Sequence, residues 1–166
     1  MKTRVCGRAL IMNQDKQILL MKVDHPDVFD PDGYIKSPYW ITPGGEVESN
    51  ETIPQTVARE ISEECGFDNV DIGPVVWYWE HVLVIRGIHY RLCDNFCIVQ
   101  IGYGHDPICR ENDEEREMIL EYRWWESAEI KKSLDVFAPT NLGQLLEDLL
   151  TSGPSDMQVV NIIPTD

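Results

Sequence analysis

Three features of the 166-residue chain predict a mixed α/β fold, with strands forming one core and helices packed on it. They are short apolar runs rich in strand formers, one amphipathic helical stretch in the first half, and a leucine-spaced stretch near the end. Residues 5–12 and 17–23 are two such runs, separated by Asn13-Gln14-Asp15-Lys16, which has the composition of a hairpin turn. Residues 24–38 hold three prolines, a glycine and four aspartates, and read as an exposed loop. Its length suggests a functional role, such as covering a pocket. Tyr39-Trp40-Ile41 leads into Pro43-Gly44-Gly45, a break that permits close backbone approach to a ligand.

Thr52 and Gln55 have capping-box spacing, and Pro54 is tolerated in a first turn, so a helix is expected over 53–65. Ile53, Val57 and Ile61 supply its apolar face, and Gly66 suits the residue after its end. Residues 75–85 and 89–101 read as strands joined around Arg86-Gly87, and 118–125 as another. Between them, 102–117 is polar and acidic. Leu142, Leu145, Leu146 and Leu149 mark a closing helix, stopped by Ser152-Gly153-Pro154. No internal repeat is present, and one domain over 1–166 is expected.

Fourteen Lys and Arg against 29 Asp and Glu give a formal charge of -15. Such a surface disfavours long nucleic acids, which need cations to displace condensed counterions, and a small anionic substrate would require bound divalent cations. Most of the carboxylates need no explanation beyond solubility. Cys6, Cys65, Cys93, Cys97 and Cys109 are odd in number and lack a CxxC pair, which fits free thiols in a reducing compartment. Cys93 and Cys97 share a strand face and read as buried small hydrophobes, with a redox pair as the rival. The N-terminus carries no signal-peptide run and no stretch has membrane-span length, so a cytoplasmic location without membrane contact is expected.

The chemistry concentrates between Gly45 and Phe67. At about 100° per residue, Glu60 and Glu64 lie about 40° apart on the helix and Glu63 about 60° to the other side of Glu60. Three carboxylates on one stripe repel, and near a helix C-terminus the dipole disfavours them further. A hard divalent cation compensates both effects. Magnesium, which takes oxygen ligands and is shared between carboxylates and substrate phosphates, fits better than zinc. A solvated acidic face is the plainer reading, but it leaves the Gly-Gly turn, the spacing to Glu51 and Arg59, and the stop at Gly66 without a reason.

These residues match G-x5-E-x7-R-E-U-x-E-E-x-G-U, with U hydrophobic, at every defined position, and the segment resembles the Nudix box. The resemblance implies the Nudix fold, a mixed sheet sandwiched between helices, and hydrolysis of a nucleoside diphosphate linked to another moiety. It implies magnesium, with manganese able to substitute. Glu60, Glu63 and Glu64 would bind metal, helped by a carbonyl of Gly44 or Gly45. Arg59 would pair with Glu51 in support. The general base varies in the family; one of the box glutamates or a carboxylate among Glu111, Glu114, Glu115 and Glu117 is expected, with Glu115 and Glu117 favoured. A homodimer is compatible with the resemblance, and so is a regulatory nucleotide-binding module that has lost catalysis, although the box is intact.

For the substrate side, Trp77, Trp79 and His81 alternate onto one face of a strand and Tyr78 onto the other. One face could stack a base, although core packing is expected for at least one tryptophan. Trp40, Tyr39, Arg86, His89 and Arg91 complete the candidates. Nucleoside triphosphates and nucleotide sugars such as ADP-ribose both stay open.

Overall fold

The alternation of side chains along β1 (Lys2–Met12) sets the layers of the molecule, described from a computed structural model over residues 1–102, 106–153 and 159–164. Leu10 and Met12 enter one apolar cluster, while Ala9 and Ile11 enter another on the opposite face. β2 (Ile18–Val23) follows the turn, then β3 (Val28–Phe29), β4 (Tyr39–Ile41) and β5 (Gly44–Glu46). Helix α1 (Ile53–Cys65) precedes the long hairpin β6 (Val75–Ile85) and β7 (Ile88–Gln100). α2 (Asp113–Met118), β8 (Ile119–Trp125), α3 (Ser127–Lys132), β9 (Phe137–Ala138), α4 (Leu142–Ser152) and β10 (Val160–Asn161) complete the chain.

The sheet runs β10-β6-β7-β1-β2-β4-β9, with β3 on β6, β5 on β1 and β8 on β2. It is mixed: β1 and β7 are parallel from Lys2↔Tyr90 to Met12↔Gln100, whereas β6 and β7 are antiparallel. One face packs on α1 through Val57, Ile61 and Cys65. The other packs on α3 and α4 through Ile130, Leu142, Leu146 and Leu149. Helices on both faces bury both sides of the central strands, which explains why 9–12 and 18–21 read as unbroken apolar runs.

Helix α1 begins as its capping chemistry dictates. Thr52 Oγ1 accepts from the Gln55 N–H, and Gln55 Oε1 accepts from the Thr52 N–H. It ends at Gly66, whose φ of 73° is the left-handed conformation that glycine enters at least cost. The β6–β7 turn uses Arg86 and Gly87, both at positive φ.

Several expectations are corrected. The β1–β2 hairpin keeps its turn, where Asn13 Oδ1 accepts from the Asp15 and Gln17 amides, but only Met12↔Ile18 pairs, because β2 diverges to β8 and β4. Residues 24–38 are not wholly irregular: β3 pairs Phe29 with Val84, which ties that segment to β6. The segment 102–117 contains the start of α2, capped by Asn112 on the Glu115 amide. Short α3, β5, β9 and β10 carried too few residues to show a period. Cys97 is buried as expected but Cys93 only partly, and all five thiols are free. Pro154 lies outside the described residues, as do Tyr103, Gly104 and His105. Among the described residues no helix is long and apolar enough to cross a membrane.

Leu146 is fully enclosed between α4 and the sheet. Leu146→Ala is expected to lower the unfolding free energy by about 2–5 kcal/mol in denaturant titration, with an unchanged slope.

Candidate active site

The last turn of α1 governs the site. An α-helix leaves its final four carbonyls short of intrahelical donors, and here the cap residue supplies one and distant segments the other three. The Gly66 N–H donates to Ser62 O, the Arg110 N–H to Glu63 O at 2.6 Å, the Tyr122 hydroxyl to Glu64 O, and the Ile108 N–H to Cys65 O at 2.9 Å. Two of these donors belong to the chain just before α2. Satisfying the helix end therefore brings residues 108–110 alongside Glu63, and Glu111 with them.

Carboxylate oxygens of Glu60, Glu63 and Glu111 all lie within 4.8 Å of one another. Burial first, then the neighbouring Glu115, Glu63 and Glu60 carboxylates, push the Glu111 carboxyl up to about 8. Glu64 stands beside this group. It keeps some exposure to the cleft but is surrounded by protein atoms, and burial followed by the charge of Glu60 raises it well above the ordinary range. The Gly44 N–H donates to Glu64 Oε1 at 2.8 Å. Strand β5 can lie this close because its first two residues lack side chains: a Cβ on Gly45 would stand 2.3 Å from Glu60 Oε1. The two glycines leave room for α1 carboxylates to reach past the strand edge.

Arg59 counterbalances the crowding. Its Nε and Nη2 hold both oxygens of Glu51 at 2.8 and 3.0 Å, and its Nη1 reaches Glu60 at 2.9 Å and Glu63 at 3.3 Å. The Arg59 fork holds Glu51 down to about 2. A single guanidinium facing four carboxylates, those of Glu51, Glu60, Glu63 and, at 3.7 Å, Glu48, leaves negative charge unbalanced. That donor set, all oxygen and partly exposed, suits a hard divalent cation.

The carboxylates open into a cleft of about 1130 Å³, ample for a nucleotide. Of the residues singled out in the sequence, Glu60, Glu63, Glu64, Gly44, Gly45, Arg59, Glu115, Trp79, His81, Tyr39 and Arg86 line it. Glu51 stands behind Arg59. Glu117 is exposed on α2 and is not among the lining residues, whereas Glu111 and Glu114 are. Trp77 is a core residue against Phe96, and Trp40 packs edge-on against Trp125 with its Nε1 donating to Asp135. Arg91 pairs with Glu80 on the outer face, and His89 is exposed. Of the β6 aromatics, Trp79 and His81 therefore reach the cleft, their rings stacked at 3.6 Å. His25, Pro26, Asp27, Val28 and Ile35 of the 24–38 segment form part of the wall.

Three residues escaped the sequence reading. Arg8 and Asp94 face the cleft from β1 and β7, with Arg8 Nε donating to Asp94 Oδ1 at 3.3 Å and His81 Nε2 on Asp94 Oδ2 at 2.8 Å. Burial alone would raise the Asp94 carboxyl, but Arg8 and His81 outweigh it and hold it below the usual range. Their signal was present, since each is a charge within an apolar strand run. Tyr122 gave no signal.

The NUDIX domain profile matches residues 2–146. By sequence, no curated protein matches the chain. Among solved structures the chain is similar to a MutT protein from Methanosarcina mazei Go1, at 18% identity and TM-score 0.67 over 92% of this chain and 97% of that one. It is also similar to the dihydroneopterin triphosphate pyrophosphohydrolase of E. coli, at 17% identity and TM-score 0.62 over 92% and 100%. A third similar structure is an ADP-ribose pyrophosphatase from Streptococcus suis, at 17% identity and TM-score 0.56 over 95% and 97%. At these identities the likeness is one of fold.

Two outcomes follow from the carboxylate geometry. In metal-free protein the folded state holds the Glu111 proton up to about pH 8, whereas an unperturbed carboxyl loses it near 4.5. Stability from this group is therefore full below about 4.5 and lost as pH rises through 8. Thermal melts from pH 5 to 9 should show that decline, and Glu111→Gln should flatten it. Gly45→Ala should displace the Glu60 carboxylate and lower divalent-cation affinity by roughly 10–100-fold in calorimetric titration, with little change in melting temperature.

Proposed function

The chain belongs to the NUDIX hydrolase family, and on that basis we propose that it cleaves the diphosphate linkage of a nucleoside diphosphate derivative or nucleoside triphosphate, using magnesium, for which manganese substitutes. Members of the family work with divalent metal ions. The observation that carries the reading is the convergence of Glu60, Glu63 and Glu111 at the edge of a nucleotide-sized cleft. Dihydroneopterin triphosphate and ADP-ribose, named for two similar structures, both pair a phosphoanhydride with a heterocycle, which supports this substrate class.

In this proposal Glu60, Glu63 and Glu111 hold the cation, with Glu64 and the Gly44 carbonyl as further oxygen donors nearby. A bound magnesium ion supplies neutralisation of the diphosphate and an activated water. Arg59, fixed by Glu51, keeps Glu60 and Glu63 in position and touches no substrate. Glu64 has one oxygen held by the Gly44 N–H, which leaves Oε2 to accept a proton from the attacking water. Glu115 borders Glu111 and raises its proton affinity in turn. The 24–38 segment walls the nucleotide side.

A panel of nucleoside triphosphates and nucleotide diphosphate derivatives, assayed with magnesium for released phosphate, pyrophosphate and nucleoside monophosphate, tests the reading. At least one compound should be hydrolysed, chelation should abolish turnover, and Glu63→Gln or Glu64→Gln should reduce kcat/KM roughly a hundredfold or more. Tight nucleotide binding without product across the panel would identify a catalytically inert module instead.

A further inference from the structure

The deeper half of the cleft is built differently from the carboxylate end. Arg4, Cys6 and Arg8 alternate onto the cleft face of β1, and Tyr90, Leu92, Asp94 and Phe96 onto that of β7. Asp94 is 2% exposed and uses one oxygen for Arg8 and the other for His81. Arg8 meets Asp94 through Nε, and its Nη1 and Nη2 make no hydrogen bond with any described residue. A guanidinium carries five donors in a planar fork, so the edge formed by Nη1 and Nη2 is spare. Three enclosed polar atoms of the same lining are also without partners among the described residues: Trp79 Nε1, on a residue 5% exposed, Thr42 Oγ1, on a residue fully enclosed, and His81 Nδ1. Buried donors without acceptors are costly and rare. The surrounding walls are apolar and aromatic, from Tyr39, Trp79, Leu83 and Phe96.

We propose that this floor is a specificity site that reads a flat heteroaromatic ring by an edge carrying two adjacent acceptors, a ring carbonyl beside a ring nitrogen, as in an oxopurine such as guanine. The Arg8 fork receives the carbonyl and the ring nitrogen together, the geometry by which arginine distinguishes guanine from adenine. Adenine turns an amino donor toward the same fork and loses the match. A phosphate is the poorer occupant. Asp94 already cancels the charge of Arg8, so a dianion there would meet a buried carboxylate within an apolar surround. Asp94 and His81 act as positioning residues that hold Arg8 in register. The Arg8 side chain lies against Gly44, whose N–H holds Glu64, so a ring seated on Arg8 is adjacent to the carboxylate end. This inference rests on the nucleotide reading above for its orientation, but it is tested without catalysis.

The experiment is calorimetric titration of the full chain in EDTA with GMP and with AMP, for wild type and Arg8→Lys. Lysine retains the charge partner of buried Asp94, which preserves folding, but cannot form the fork. Wild type should bind GMP at least about tenfold more tightly than AMP, and Arg8→Lys should bring the two within about threefold by weakening GMP alone. Equal or tighter AMP binding by wild type, an equal loss for both nucleotides in Arg8→Lys, or no binding of either would overturn the proposal. Discrimination in EDTA alongside no hydrolysis with magnesium would overturn the proposed activity and leave the specificity site standing.

Discussion

The contact between Arg59 and its surrounding carboxylates is the constraint on which the site is built. α1 carries Glu60, Glu63 and Glu64 in its C-terminal half, where the helix dipole and their mutual repulsion both oppose them. Arg59 lies within the same helix, 23% exposed at its side chain, and reaches Glu51 in the preceding loop as well as Glu60 and Glu63. Exposed ion pairs contribute little to stability, but a bidentate pair inside a network fixes geometry. The loop before α1 and the carboxylate stripe are thereby held as one unit.

The helix end is the second half of the same balance. Its carbonyls attract donors from Ile108, Arg110 and Tyr122, and the side chain of Arg110 adds a contact to Gly66 O while pairing with Asp68. A backbone requirement, the need to satisfy Glu63 O and Cys65 O, is what sets Glu111 into the carboxylate group. The chemistry of the site therefore depends on hydrogen bonds that involve no functional side chain.

This also explains which parts of the molecule were legible from the sequence. The extent of α1, its cap at Thr52, its stop at Gly66 and its stripe of carboxylates follow from spacing along one helix, and spacing is what a sequence displays. Trp77 and Trp79 share a strand face, yet one packs in the core and the other lines the cleft; which strand end is roofed by a helix is not encoded in alternation. Glu111, Glu115 and Glu117 lie within one acidic run, and the choice among them rests on the docking of 108–110 against α1, a contact between segments more than forty residues apart. Arg8 and Asp94 were visible only as charges in apolar strands; that Arg8 stands diagonally across from Asp94, which is level with Cys6, follows from the parallel register of β1 and β7, which has no local signature.

β1 joins these two kinds of information. Its odd positions Gly7, Ala9 and Ile11 serve α1, with Gly7 bare because a Cβ would stand 2.9 Å from a methyl of Val57. Its even positions Arg4, Cys6 and Arg8 face the cleft. The strand thus seats the helix that bears the carboxylates on one face and holds a cleft guanidinium on the other, while β5 along its edge brings Gly44 to Glu64. Because side chains alternate strictly, one register fixes all three relations at once. The separation between the carboxylate end and Arg8 is therefore a property of a central strand paired along its whole length with β7 rather than of a loop.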